Sequence, residues 1–155
     1  MQKIWSGVAR LYISKRNDVT SGIHSRRSNM DKQIRINSEI KELHIEDDCV
    51  QIASGGTPNA SREEYYGGEI PWLRTQEVDF CEINDTAIKI TQAGLKSSSA
   101  KWIPKNCVIV AMYGATAAKV AINKIPLTTN QACCNLIINP QKALYKYVYY
   151  WLSHE

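Results

Sequence analysis

The chain has 155 residues, 44% of them hydrophobic and 22% charged, which suits one globular domain with a single core and is short for two. No run approaches the roughly 18 apolar residues needed to span a bilayer. The net charge of +4 is unevenly spread: residues 1–45 carry nine Lys/Arg against four Asp/Glu (+5) and residues 46–155 carry ten against eleven (−1). Composition alone therefore makes no case for a polyanionic partner of the larger part.

In chain order, residues 1–29 (MQKIWSGVARLYISKRNDVTSGIHSRRSN) are rich in Arg, Ser and Gly and hold one acid, Asp18. Arg10 and Lys15 interrupt the apolar positions, so no secretory signal core forms. The segment reads as a basic, disordered extension, or as a stretch ahead of a natural start at Met30; a transit peptide shares the composition. From about residue 39, IKELHIEDDCVQIASGG predicts a short helix closed by Gly55-Gly56. TPNASREEYYGGEIP is then a polar loop, PWLRTQEV a strand, and TQAGLKSSSAK a short helix capped by Thr91. CVIVAMY predicts a strand that GATA turns into a second, KVAINKI, and CCNLIIN predicts a third. Asn139 and Pro140 fit the cap and first turn of a last helix, QKALYKYVYYWLSHE, with Leu144, Val148, Trp151 and Leu152 on one apolar face. The expected class is α+β: a mostly antiparallel, twisted sheet with short helices and the start of a C-terminal helix.

Catalytic and metal chemistry find no footing. Five cysteines (Cys49, Cys81, Cys107, Cys133, Cys134) are an odd set without CxxC spacing, and read as buried thiols of a cytoplasmic protein. Gly114–Lys119 lacks the second glycine and the Lys-Ser/Thr of a phosphate-binding loop, so it reads as a hairpin turn. Asn139-Pro140-Gln141-Lys142 lacks the second proline and the aromatic with which a base methyltransferase would stack a flipped base. Asp18 with Glu39-Ile-Lys41 has only the loose spacing of a nuclease metal site. The histidines His24, His44 and His154 have no partner at catalytic spacing. No cofactor, metal or catalytic residue is expected.

Binding chemistry is better represented. Arg62, Tyr65, Tyr66, Trp72, Arg74, Tyr113, Lys119 and Gln131 supply donors and aromatic planes of the kind that meet phosphates and base edges. Trp72 and Tyr66 serve equally as core, and Arg62 as a solvated loop charge. Asn130 and Gln131 can pair with adenine in the major groove or cap a turn, and their chemistry leaves both roles open.

From about Ile40 to the end, the chain resembles the target recognition domain of type I restriction–modification specificity subunits. The matching stretches are Ser54-Gly-Gly-Thr-Pro58, Tyr66-Gly-Gly-Glu-Ile-Pro-Trp72 with Arg74-Thr75, Gly94-Leu-Lys-Ser-Ser-Ser-Ala-Lys101, Ala111-Met-Tyr-Gly-Ala-Thr116 with Lys119-Val-Ala-Ile122, and Thr128-Thr-Asn-Gln-Ala-Cys-Cys134. Each alone is weak; together, in order, they are specific. The resemblance implies a subunit without catalysis of its own that reads one half of a bipartite site on double-stranded DNA. Its partners would be methyltransferase and restriction subunits and, for a half-subunit, a second recognition half-subunit; no membrane is implied. A full subunit has two such domains joined by a helical spacer. The expected organisation here is therefore an extension, 1–29, and one recognition domain, 30–155, truncated where the spacer begins. A remnant that keeps the fold and acts only as a protein-interaction module is the alternative. With the resemblance, the expected DNA-binding set is Thr57, Arg62, Tyr66, Arg74, Thr75, Tyr113, Thr116, Lys119, Thr128, Thr129, Asn130 and Gln131, with Lys119 on the phosphate backbone. Thr129, Asn130 and Gln131 would reach base edges or hold the loop that does.

Overall fold

The computed structural model describes residues 49–154 and the backbone of Leu11–Ser14 and Ile40–Leu43, with side chains from residue 51 onward. Two compact units result, Met1–His44 and Ile45–Glu155. In the first, strands β1 (Leu11–Ser14) and β2 (Ile40–Leu43) pair antiparallel, from Leu11 opposite Leu43 to Ser14 opposite Ile40. The rest of 1–29 lies outside the described residues.

The second unit holds two sheets. Five strands run in the order β3 (Cys49–Ser54), β10 (Cys133–Ile138), β7 (Val108–Ala111), β8 (Val120–Asn123) and β5 (Cys81–Ile83). All neighbours are antiparallel except β5 and β8. Three more run in the order β6 (Ile88–Ile90), β4 (Tyr66–Leu73) and β9 (Thr128–Thr129), with β4 antiparallel to β6 and parallel to β9. The class is α+β, as expected, although the strands divide between two sheets.

Local sequence explains several elements. Val108–Ala111 and Val120–Asn123 are apolar runs of β-branched and small residues on either side of a glycine turn, and they pair as the predicted hairpin. Thr91 caps helix α1 (Gln92–Lys96): its hydroxyl accepts the Gly94 N–H at 3.1 Å and so gives one of the first-turn amides a partner. The main core forms where Leu73, Val78, Ile83, Ile103, Ile109, Ala121, Leu127 and Cys133 meet. A smaller cluster, Ile70, Trp72 and Ile90, packs with Tyr66, Ile88 and Leu95.

Three expectations need correction. The helix predicted over 40–54 is absent: 40–43 and 49–54 are strands, and β3 is held by its ladder to β10, with Ile52 opposite Leu136. Tertiary pairing has overridden a local helical pattern. The strand predicted from Pro71 begins at Tyr66 and ends at Leu73. Its glycines sit in a bulge where Tyr66 and Ile70 both face Ile90, and Gly67 takes φ +74°, which costs a residue without Cβ little. The last helix, α2, spans Tyr145–Ser153 and not the segment from Pro140. Asn139 instead closes a turn, its side chain accepting the Gln141 N–H at 3.0 Å and its carbonyl the Lys142 and Ala143 N–H groups. Leu144 is thereby left 71% exposed just ahead of the helix, so only Val148 of the predicted face is fully buried.

Candidate nucleic-acid interface

Four connecting segments gather at one end of the sheets, and hydrogen bonds link them in series. The first is the loop after β3. A Cβ on Gly55 would overlap the Thr129 carbonyl, so only glycine lets these backbones approach, and the Gly56 N–H donates to that carbonyl at 2.9 Å. The Trp72 indole N–H, itself buried, donates to the Gly56 carbonyl at 2.9 Å. The Tyr66 hydroxyl donates to the Pro58 carbonyl at 2.8 Å, and the Tyr66 and Trp72 rings meet edge-on with centroids 6.0 Å apart. Both aromatics therefore brace the loop from behind. Thr57, exposed in front, donates its hydroxyl to the Gln131 side-chain oxygen.

The second segment, 130–132, follows β9. The Asn130 N–H donates to the Leu73 carbonyl at 2.9 Å, and the Asn130 side chain accepts the Ala132 N–H at 3.2 Å. The amide side chain at 130 thus caps the turn, while that of Gln131 lies exposed beside Thr57. Thr128 and Thr129 stand behind the turn with no exposure. Thr128 donates to the Pro71 carbonyl at 2.9 Å, and Thr129 accepts the Asn135 side-chain N–H at 2.8 Å. These two hydroxyls hold the loop and do not face outward.

The third segment, 74–79, continues β4 through a 3-10 turn, Thr75–Glu77. Glu77 bridges it, its carboxylate accepting the Arg74 N–H at 3.2 Å and the Ala87 N–H at 2.8 Å. Arg74 is half-buried; its Nε has no hydrogen-bond partner and its guanidinium is in none of the ion pairs among the described residues. Thr75 is buried, but its carbonyl accepts the Thr116 hydroxyl at 2.8 Å. Thr116 lies in the fourth segment, the β7–β8 turn, where Tyr113 is 53% exposed. Lys119 Nζ reaches Asp79 at 2.8 Å, and the Met112 N–H donates to the Ala132 carbonyl at 2.9 Å. The turn is therefore tied to both the second and third segments.

Of the expected residues, the structure brings together Thr57, Arg74, Thr75, Tyr113, Thr116, Lys119, Asn130 and Gln131 along this chain of loops, with Tyr66, Thr128 and Thr129 behind. Arg62 is not drawn in by any contact; it pairs with Glu64 at 3.3 Å on an exposed stretch. Sequence reasoning missed three supports: Asp79, Glu77 and Asn135. Asn135 is a lone amide inside the run Cys133–Ile138, a signal that was available; the acids carry no local mark.

Little else offers chemistry. Cys107, Cys133 and Cys134 are buried and Cys81 half-buried, all four free thiols, and burial pushes Cys107 and Cys133 up to about 12. Among the described residues no three His, Cys, Asp or Glu side chains group to hold a metal, and no helix is long and apolar enough to cross a membrane.

Known proteins resemble this chain in sequence and in fold. The model of the type I restriction modification DNA specificity domain family matches residues 36–155. The type I restriction enzyme MjaIX specificity subunit of Methanocaldococcus jannaschii is 34% identical over 106 residues, covering 66% of this chain and 24% of the relative. The EcoR124I/EcoR124II specificity subunit of Escherichia coli is 29% identical over 103 residues, covering 64% and 25%. Among solved structures, a chain of a type I R-M system superposes with a TM-score of 0.54 at 15% identity, over 72% of this chain and 26% of the other. The HsdS subunit from Thermoanaerobacter tengcongensis superposes at 0.52 and 16%, with the same coverage; at these identities the likeness is one of fold. The chain spans about a quarter of the length of these relatives.

Proposed function

The chain belongs to the type I restriction modification DNA specificity domain family, and from that premise we propose that it reads one half of a bipartite site on double-stranded DNA. In this reading it serves as the recognition part of a cytoplasmic complex whose methyltransferase and restriction subunits carry the catalysis. The observation that carries the reading is the exposed Thr57–Gln131 pair, set on loops that buried hydrogen bonds hold rigid. A side-chain amide held in place on a rigid turn suits base edges, because hydrogen bonds there discriminate only when their geometry is fixed in advance. Arg74, in none of the ion pairs among the described residues, supplies a cation for the phosphate backbone, and Tyr113 an exposed ring. Exposed Leu144, Tyr147 and Tyr150 around α2 suit contact with a protein partner, which also keeps open the reading of a protein-interaction module alone.

Selection of the full chain on a randomised duplex library, with and without a methyltransferase subunit, separates these readings. Enrichment of one short motif supports DNA recognition. Enrichment of none in either arm, with the subunit still bound, leaves the interaction module.

A further inference from the structure

We propose that Asp79 is a specificity-determining residue of this interface, acting by neutralising Lys119 so that DNA of the wrong sequence gains no phosphate contact there. The inference rests on the DNA-recognition reading above and assigns a role to a residue that would not itself touch bases.

Asp79 and Lys119 approach to 2.8 Å, yet their side chains are 63% and 33% exposed. Exposed pairs of this kind contribute little to stability, since water screens the attraction and two flexible side chains must be ordered. Nor does the hairpin depend on the pair. The Ala111 N–H donates to the Lys119 carbonyl at 2.9 Å, the Ala118 N–H to the Ala111 carbonyl at 2.9 Å, and Thr116 already ties the turn to Thr75.

The backbone is nevertheless held in uncommon conformations on both sides of the pair. Among the described residues three non-glycines have positive φ: Phe80 at 49°, Ala118 at 67° and Asn106 at 66°. Phe80 directly follows Asp79 and Ala118 directly precedes Lys119. Left-handed backbone is costly for a bulky residue such as Phe80, which is 47% exposed and belongs to neither of the two core clusters described above. Strain that does not serve the core points to a geometry kept for another reason. Here it presents a carboxylate to the ammonium of the reading hairpin.

Sequence-independent affinity for DNA comes from cations that displace counterions at phosphates. With Lys119 paired, Arg74 remains a cation of these loops that is in none of the ion pairs among the described residues. On a cognate duplex, contacts from the neighbouring loops fix the protein and the pair stays closed. On any other duplex the protein is loosely held, and a free ammonium would find a phosphate.

The test compares the full-length wild type with Asp79→Asn, Asp79→Glu, Lys119→Gln and the Asp79→Asn/Lys119→Gln double variant. Binding is measured on a random-sequence duplex and on the duplex recovered from the library, over a range of salt. Asp79→Asn should raise affinity for the random duplex about three- to eightfold at 0.1 M salt and steepen its logarithmic salt slope by about one unit. Affinity for the recovered duplex should change less than about twofold, and Lys119→Gln should abolish the gain. Asp79→Glu keeps the charge and should behave as wild type. Equal gains on both duplexes, no gain on the random one, or a gain that survives Lys119→Gln overturns the proposal alone. Failure of the wild type to prefer any duplex overturns the DNA-recognition reading, and this proposal with it.

Discussion

Gly55 packs so closely on Thr129 that a Cβ at position 55 would overlap both the carbonyl and the hydroxyl of that residue. The carbonyl belongs to β9, whose ladder to β4 pairs Leu73 with Thr129, so the clash cannot be relieved by rotating a side chain. Gly55→Ala should cost about 1–3 kcal/mol, the usual range for overpacking, and lower the melting temperature by about 5 °C or more. Gly67 supplies the contrast, since its Cβ would meet nothing within 4 Å and only its φ of +74° opposes substitution. Gly67→Ala should cost about 1 kcal/mol. Thermal unfolding of the pair checks the ranking, and a Gly67 variant that melts lower than the Gly55 variant would refute the close-approach argument.

Thr129 and Gln131 lie two residues apart and should behave oppositely. Thr129 is fully buried and accepts the Asn135 side-chain N–H, so Thr129→Val strands a buried donor. That should cost about 1–3 kcal/mol of stability. Gln131 is exposed, and its partner Thr57 is exposed too. Gln131→Ala should change stability by no more than about 0.5 kcal/mol, while costing about 1–3 kcal/mol on a cognate duplex and relaxing preference at one base pair. A lowered melting temperature with unchanged base preference would make Gln131 a structural turn residue.

Much of the fold was legible because it is encoded locally. The β7–β8 hairpin follows from two apolar runs around Gly114, and α1 from the Thr91 cap. The strand β9 was not, since two threonines carry no periodicity and their partners, Trp72 and Leu73, lie far away in sequence. For the same reason Thr128 and Thr129 read as polar loop residues, although parallel pairing buries them. The segment 49–54 misled in the other direction: its spacing fits a helix, and only the ladder to β10 makes it a strand. At the interface, motif order pointed to Thr57 and Gln131 but could not pair them, and Asp79 was one acid among many until the fold set it against Lys119.

The buried thiols predict a loss of stability in base. Burial pushes Cys107 up to about 12, and burial first, then the neighbouring Cys134 and Glu77, does the same for Cys133. Unfolded, both would ionise near the ordinary thiol value of 9.0. Between these values the unfolded chain holds fewer protons than the folded one, so rising pH favours unfolding. Stability should be intact below pH 9 and then decline by up to about 1.4 kcal/mol per pH unit for each thiol. Denaturant midpoints across pH 8–11 test this, and replacing both residues by alanine should flatten the decline. At pH 8 the same two thiols should resist alkylation in the native protein, because the attacking thiolate is scarce.

Thr116 offers the sharpest test of whether the β7–β8 hairpin tip is set in advance. Its hydroxyl donates to the Thr75 carbonyl at 2.8 Å, joining the β7–β8 turn to the 3-10 turn beside Arg74. Thr116→Val keeps the shape and removes that bond, at a cost of about 1 kcal/mol. The strand ladder from Val108 opposite Ile122 to Val110 opposite Val120 is untouched, so the core should survive and the melting temperature should fall by only a few degrees. Amide exchange should instead quicken at residues 113–118, which lie beyond the ladder. If Tyr113 meets DNA from a pre-ordered turn, the freed segment must be ordered again on binding, and affinity for the recovered duplex should drop about fivefold. Faster exchange with unchanged affinity would mean that the hairpin tip orders itself on DNA, and that Thr116 serves the free protein alone.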